Sequence, residues 1–224
     1  MMKHLINSLL KVKAVATLIL AFCVALPAIS SAAPIAEEKK AVTEAGQLEV
    51  TSSTFSCIRD MTKVRGFYVD NLKGDLAGTL AVANSETGGI YPPGSVVQLV
   101  PGEVMIKHEE GYSPATKGWE FFELDVSEEG SEIRKRGFVD VVNRFGGNCF
   151  GCHIQAKPQW DMICEDTHGC ETIPITKEMI DLIQRTDPRC TDNEELTSGE
   201  SYDLFMLNLK VGVGSAIGTV KEMM

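Results

Sequence analysis

From Gly74 to Asn143 the chain alternates short runs of Val, Ile and aromatic residues with clusters of turn formers. The runs are "GTLAVAN", "GSVVQLV", "EVMIKHEE", "WEFFELDV" and "RGFVDVVN"; the punctuation is "NSETGG", "YPPG", "GYSPATKG" and "SEEGSE". Short β-branched runs between Gly, Pro, Asn and Ser predict strands joined by tight turns, hence an antiparallel meander. Upstream, "FSCIRDMTKVRGFYVDNL" has mixed spacing and predicts a helix giving way to a strand, after a polar lead-in with a helix around "AEEKKAVTEAG". Downstream the period changes. "ITKEMIDLIQRT" places Met179, Ile180 and Ile183 on one helical face with Asp181 and Gln184 turned away, Thr176 as N-cap and Pro188 as terminator. The last stretch, "SYDLFMLNLKVGVGSAIGTVKEMM", is apolar but broken by glycines, and its pattern fits strand and helix equally. The expectation is an α+β fold: an antiparallel β-sheet with covering helices and a helical C-terminal extension.

The first residues obey a different rule. "MMKHLINSLLKVK" carries Lys3, Lys11 and Lys13 and no acid, then comes the apolar run 14–29 and the small residues "SSAA". This three-part pattern is that of a secretory signal peptide, residues 1–33. A run of 16 residues containing Pro27 is shorter than the roughly 20 that a spanning helix needs, so no stable membrane span is expected after cleavage. The predicted organisation is a signal peptide (1–33), a β-rich domain (34–156) and a disulfide-stapled, partly helical extension (157–224), in an exported or periplasmic protein.

Loss of residues 1–33 leaves 18 basic against 31 acidic side chains, a net charge of −13. Such a surface repels phosphate backbones and argues against nucleic-acid binding. Six of the 7 cysteines remain: Cys57, Cys149, Cys152, Cys164, Cys170 and Cys190. In an oxidising compartment thiols rarely stay idle. If a cofactor consumes Cys149 and Cys152, two disulfides use the other four. Three pairings are possible; Cys164–Cys170 within one short polar loop, with Cys57–Cys190, is preferred.

The segment "RFGGNCFGCHIQ" (144–155) carries the chemistry. On a helix, positions i, i+3 and i+4 share a face, so Cys149, Cys152 and His153 can address one object. The C-x-x-C-H pattern is that of c-type haem attachment: two thiols add to the vinyl groups and the following imidazole becomes the proximal iron ligand. Gly146, Gly147 and Gly151 would let a flat macrocycle approach the backbone. Two other readings compete. Zinc could be held by Cys149, Cys152, Cys164 and Cys170 with His168 between them, although thiolate ligation suffers where disulfides form. A redox Cys pair is the other, but it lacks the strand of a βαβ unit before it.

A β-rich body with a late C-x-x-C-H resembles the cytochrome P-460 family and its cytochrome c′-beta relatives. The residues carrying the likeness are "YPPGSVVQLV", "VMIKHEEGYSPATKGWEFFELD" and "NCFGCH", over roughly residues 60–155. The resemblance implies an antiparallel sheet covered by helices, a homodimer, and one covalently attached, His-ligated haem c whose distal side is open to small molecules. It implies haem-iron redox chemistry or binding of small nitrogen-oxide ligands of the nitric oxide and hydroxylamine class. Hydroxylamine-oxidising members carry a lysine cross-link to the haem edge on the strand after the proline-glycine turn. That lysine aligns with Leu99 or a neighbour, and residues 95–100 contain none. Whether the chain is a haem oxidoreductase is therefore left open. The alternative function is a simple electron-transfer cytochrome with a redox partner protein, and the distant one a secreted zinc-binding structural domain.

Distal candidates follow from the same alignment. Phe121 and Phe122 could cap the distal face as in cytochrome c′-beta, but adjacent strand residues point to opposite faces, so at most one does. Met61, Met105, Met162 and Met206 read as core filler. His108, flanked by Lys107, Glu109 and Glu110, reads as a surface residue, as does His168 in "CEDTHGC", and no role at the haem is expected of Lys107. Arg65 and Arg144 are candidates to meet haem propionates.

Overall fold

Alternating apolar positions on consecutive hairpins leave one low-energy arrangement, each strand beside its chain neighbour with one set of side chains per face. The computed structural model, which describes residues 48–173 and 175–209, has that arrangement. Its strands are β1 (Thr62–Val64), β2 (Phe67–Asn71), β3 (Ser95–Val100), β4 (Glu103–Lys107), β5 (Trp119–Ser127) and β6 (Gly130–Gly137). They form one six-stranded sheet in the order β1-β2-β3-β4-β5-β6, antiparallel throughout. With the helices this is an α+β fold. The predicted signal peptide and the helix around residues 36–46 lie outside the described residues.

Two of the expected strands fall elsewhere. "GTLAVAN" lies in a helix, α1 (Leu76–Ala83), between β2 and β3. The Asp75 side chain accepts from the Gly78 amide and starts it, while Leu76, Leu80 and Ala83 turn toward the core at helical spacing. Thr79 is fully buried, its hydroxyl bonded to Ser95 at 2.7 Å. At the other end, β6 is the polar run "GSEIRKRG", while "FVDVVN" carries only an isolated bridge between Val142 and Asn148. An edge strand needs backbone pairing on one side only, so polarity did not exclude it.

Each sheet face has its own core. On one, Phe67, Val69, Val97, Met105, Trp119 and Phe121 pack with Met162 and Ile163, with Cys149 and Phe150 against them. On the other, Val96, Val104, Ile106, Phe122 and Leu124 pack under Val50 and Phe55.

The chain beyond residue 157 is fastened to the sheet by buried polar groups. Lys107 Nζ lies 2.8 Å from Asp161 Oδ2, and the Trp119 indole donates to the Asp161 carbonyl at 2.7 Å. Helix α3 (Lys177–Arg185) begins at Thr176, whose hydroxyl accepts from the Met179 amide. Gln184, expected to point outward, is buried: its amide donates to the carbonyls of Gly66 and Leu99 at 2.8 and 2.7 Å. Two disulfides close the structure, Cys57–Cys190 and Cys164–Cys170, the preferred pairing. Residues 198–209 are helical. Among the described residues no helix is long and apolar enough to cross a membrane.

Candidate functional site

The C-x-x-C-H motif forms its own short helix, α2 (Cys149–His153). Five residues do not hold a helix in water, and the neighbours supply what is missing. The Asn148 side chain accepts from the Gly151 amide at 2.6 Å, and the Cys149 amide donates to the Val141 carbonyl at 3.0 Å. The preceding loop turns at Gly146, whose φ of +82° suits glycine. A Cβ there would meet nothing within 4 Å, and one on Gly147 or Gly151 would meet the side chains of Asn143 or Asn148. Turn geometry and the Asn148 cap thus explain these glycines locally.

His153 is oriented by the backbone that follows. Its Nδ1 lies 2.7 Å from the Met162 carbonyl oxygen, a contact that needs a proton on Nδ1 and leaves Nε2 as the lone-pair nitrogen. Burial pushes the imidazole pKa down, with the Met162 carbonyl acting the opposite way, so the ring is held neutral. Asp161 and Met162 both have left-handed backbone, at φ +48° and +70°, and this tight reversal brings the carbonyl to the ring. The Lys107–Asp161 pair fixes the reversal to β4, so Lys107 supports the site from a distance.

Cys149 and Cys152 are the free cysteines among the described residues, both half-buried. Burial, reinforced by the charges of Glu103 and Glu123, pushes the Cys149 thiol up to about 12; burial also raises Cys152. Thiols held protonated are poor thiolate nucleophiles at neutral pH. The other expected zinc ligands are engaged elsewhere. Cys164 and Cys170 are in a disulfide, and His168 is buried, stacked on Trp160 at 3.8 Å with Nδ1 bonded to the Ile163 carbonyl. Among the described residues no group of three or more His, Cys, Asp or Glu gathers to hold a metal ion.

The two phenylalanines part as strand alternation requires. The Phe121 ring lies 5.4 Å from the His153 ring, and Leu99 belongs to the same cluster. Phe122 is on the opposite face, packed on Phe55 at 5.3 Å. Met105 and Met162 are buried in the Phe121 core; Met61 packs beside the Phe122 core. Met206 lies in the helical segment 198–209. Surface placement of His108 is corrected: it is 2% exposed, its Nε2 is 2.8 Å from Glu120 Oε2, and Tyr112 stacks on it. A carboxylate on the neighbouring strand compensates its burial. The two arginines considered for propionates already hold protein carboxylates: Arg65 Nε is 2.8 Å from Glu165, and Arg144 Nε is 2.9 Å from Glu123.

Sequence reading missed the groups that dock the motif's leading loop. Asn143 Nδ2 donates to Glu103 at 3.0 Å, while its Oδ1 accepts from the amides of Phe145 and Gly147. Glu123, fully buried, accepts from both the amide and the Nε of Arg144. The signal was present: in "WEFFEL" an acid at position 123 shares the face of Trp119 and Phe121, which is anomalous on an apolar strand face.

The donor set fits a c-type haem. Two free thiols and an imidazole with its Nε2 unengaged among the described residues share one short helix, beside the apolar Phe121. Comparison of the chain with protein-family models, curated proteins and solved structures returned no match.

Proposed function

We propose that this chain is an exported monohaem c-type protein that binds small nitrogen-oxide ligands or carries out redox chemistry at haem iron. Cys149 and Cys152 would hold the haem through thioether bonds and His153 Nε2 would ligate the iron. The observation that carries the reading is the His153 Nδ1 contact with the Met162 carbonyl, which fixes the tautomer an iron ligand requires. When bound, haem iron supplies a redox centre and an open coordination position.

The chain's own residues do the rest. Asn148 starts the attachment helix, Asp161 and Lys107 place the carbonyl that aims His153, and Phe121 and Leu99 offer side chains that cannot ligate iron. The absence of lysine from residues 95–100, around the Leu99 position where the resembled family places its cross-linking lysine, favours a haem without that cross-link. The two disulfides and the leading sequence 1–33 support export.

The test is the visible spectrum of the mature protein, oxidised and reduced, after expression in a periplasm able to attach haem. We expect a five-coordinate high-spin c-type spectrum that shifts on addition of nitric oxide. A colourless protein overturns the reading; a low-spin six-coordinate spectrum makes it an electron carrier; a strongly red-shifted band assigns a cross-link.

A further inference from the structure

Glu103 on β4 and Glu123 on β5 are register partners on the face that carries Met105 and Phe121. Directly opposed residues in an antiparallel pair hold their Cβ atoms roughly 5 Å apart, so like charges here repel. Their partners are unequal. One Glu123 oxygen is crowded with cationic donors, Arg144 at 2.9 Å and Arg134 at 3.1 Å; the other, Oε2, is buried and has no hydrogen-bond partner among the described residues. Glu103 receives one neutral donor, the Asn143 amide. A buried carboxylate oxygen left unsatisfied is costly, the more so when charged, unless a proton comes to it.

On the basis of the haem reading, we propose that Glu103 and Glu123 form one proton-binding site that loads when the haem site is reduced. An external one-electron donor supplies the electron and solvent supplies the proton. The proton binds the Glu103 carboxylate, which removes the like-charge repulsion between the two register partners. Reoxidation returns electron and proton. No other bond forms or breaks. The proton goes to Glu103 because its carboxylate has a neutral donor, Asn143, where that of Glu123 has two arginines.

The surroundings agree. Burial, then the charge of Glu123, pushes the Glu103 pKa up to about 7, against the Asn143 hydrogen bond and the charges of Arg144 and Arg134. Asn143, which donates to Glu103, also accepts from the Gly147 amide in the loop that leads into the motif, so the pair lies beside the segment that carries Cys149 and Cys152. Asp125, paired with Arg144, and the exposed Lys135, register partner of Glu123, complete the charged groups around it. An electron added beside this pair makes the protonated form more favourable, by the Coulomb relation that couples any two nearby charges.

The experiment uses the haem-loaded mature protein. Its midpoint potential is measured from about pH 5.5 to about pH 8.5 for the wild type and Glu103→Gln. The expected wild-type potential falls with rising pH across neutrality, by up to about 59 mV per tenfold change in proton concentration for a one-electron couple. In Glu103→Gln it should be flat. A flat wild-type potential, or an unchanged slope in the variant, overturns the proposal while leaving the haem reading intact; a colourless protein overturns both. Should the variant fail to fold, the wild-type infrared difference on reduction decides: a new protonated-carboxyl band supports the proposal and its absence sinks it.

Discussion

The Nδ1 of His153 sits 2.7 Å from the Met162 carbonyl oxygen, nine residues along the chain, so the sequence after the motif orients the residue the motif supplies. The consequence is separable in variants. Cys149→Ser with Cys152→Ser should yield haem that acid-acetone extracts. His153→Ala should keep haem covalently attached but change its spectrum, with recovery on added imidazole. Extraction and absorption on purified protein check both.

Phe121 and Phe122 are adjacent yet on opposite faces. Each truncation to alanine should destabilise the fold by about 3–5 kcal/mol, because both rings are fully buried. Phe121→Ala alone should alter the spectrum or nitric oxide affinity. Denaturant unfolding beside ligand titration separates the effects.

Lys107 and Asp161 form a buried ion pair at 2.8 Å. Lys107→Met or Asp161→Asn strands the remaining partner and should cost about 3–5 kcal/mol. Asp161→Asn should also loosen His153 through the Met162 carbonyl. Unfolding curves give the first result, and the iron–histidine stretch in resonance Raman spectra gives the second.

The two disulfides close loops of different size. Cys57–Cys190 joins residues 133 apart and Cys164–Cys170 residues 6 apart. By the chain-entropy relation their removal by serine substitution should cost about 5 and about 2 kcal/mol. Melts of the two paired variants establish the order.

Glu103 gives stability an unusual pH dependence. Its folded pKa of about 7 lies above the ordinary carboxylate value of 4.5, so folding takes up a proton between the two. Its contribution is therefore present below the ordinary value and is lost as pH rises toward about 7. Urea midpoints of wild type should fall over that interval relative to Glu103→Gln; parallel curves would remove the assignment.

Local chemistry was legible in the sequence. The hairpin around Glu128-Glu129, the Thr176 cap and the close spacing of Cys149, Cys152 and His153 depend on residues within a few positions of one another. Alternation alone required Phe121 and Phe122 to part. "GTLAVAN" was misread because an apolar run of seven residues suits strand and helix alike, and the Asp75 cap, not the run, decided. His108, His168 and Gln184 were misread because burial of a polar side chain depends on partners elsewhere in the chain: Glu120, the Ile163 carbonyl, and the carbonyls of Gly66 and Leu99.

The sequence by itself determined the antiparallel pairing and that the motif's three side chains fall within about one helical turn, since both follow from backbone periodicity. Tertiary structure alone decided which carbonyl orients His153, which arginines are already neutralised, and that Glu103 and Glu123 meet. Those outcomes depend on residues brought together by sheet register and by the return of the chain after residue 157, and one-dimensional spacing does not encode such distances.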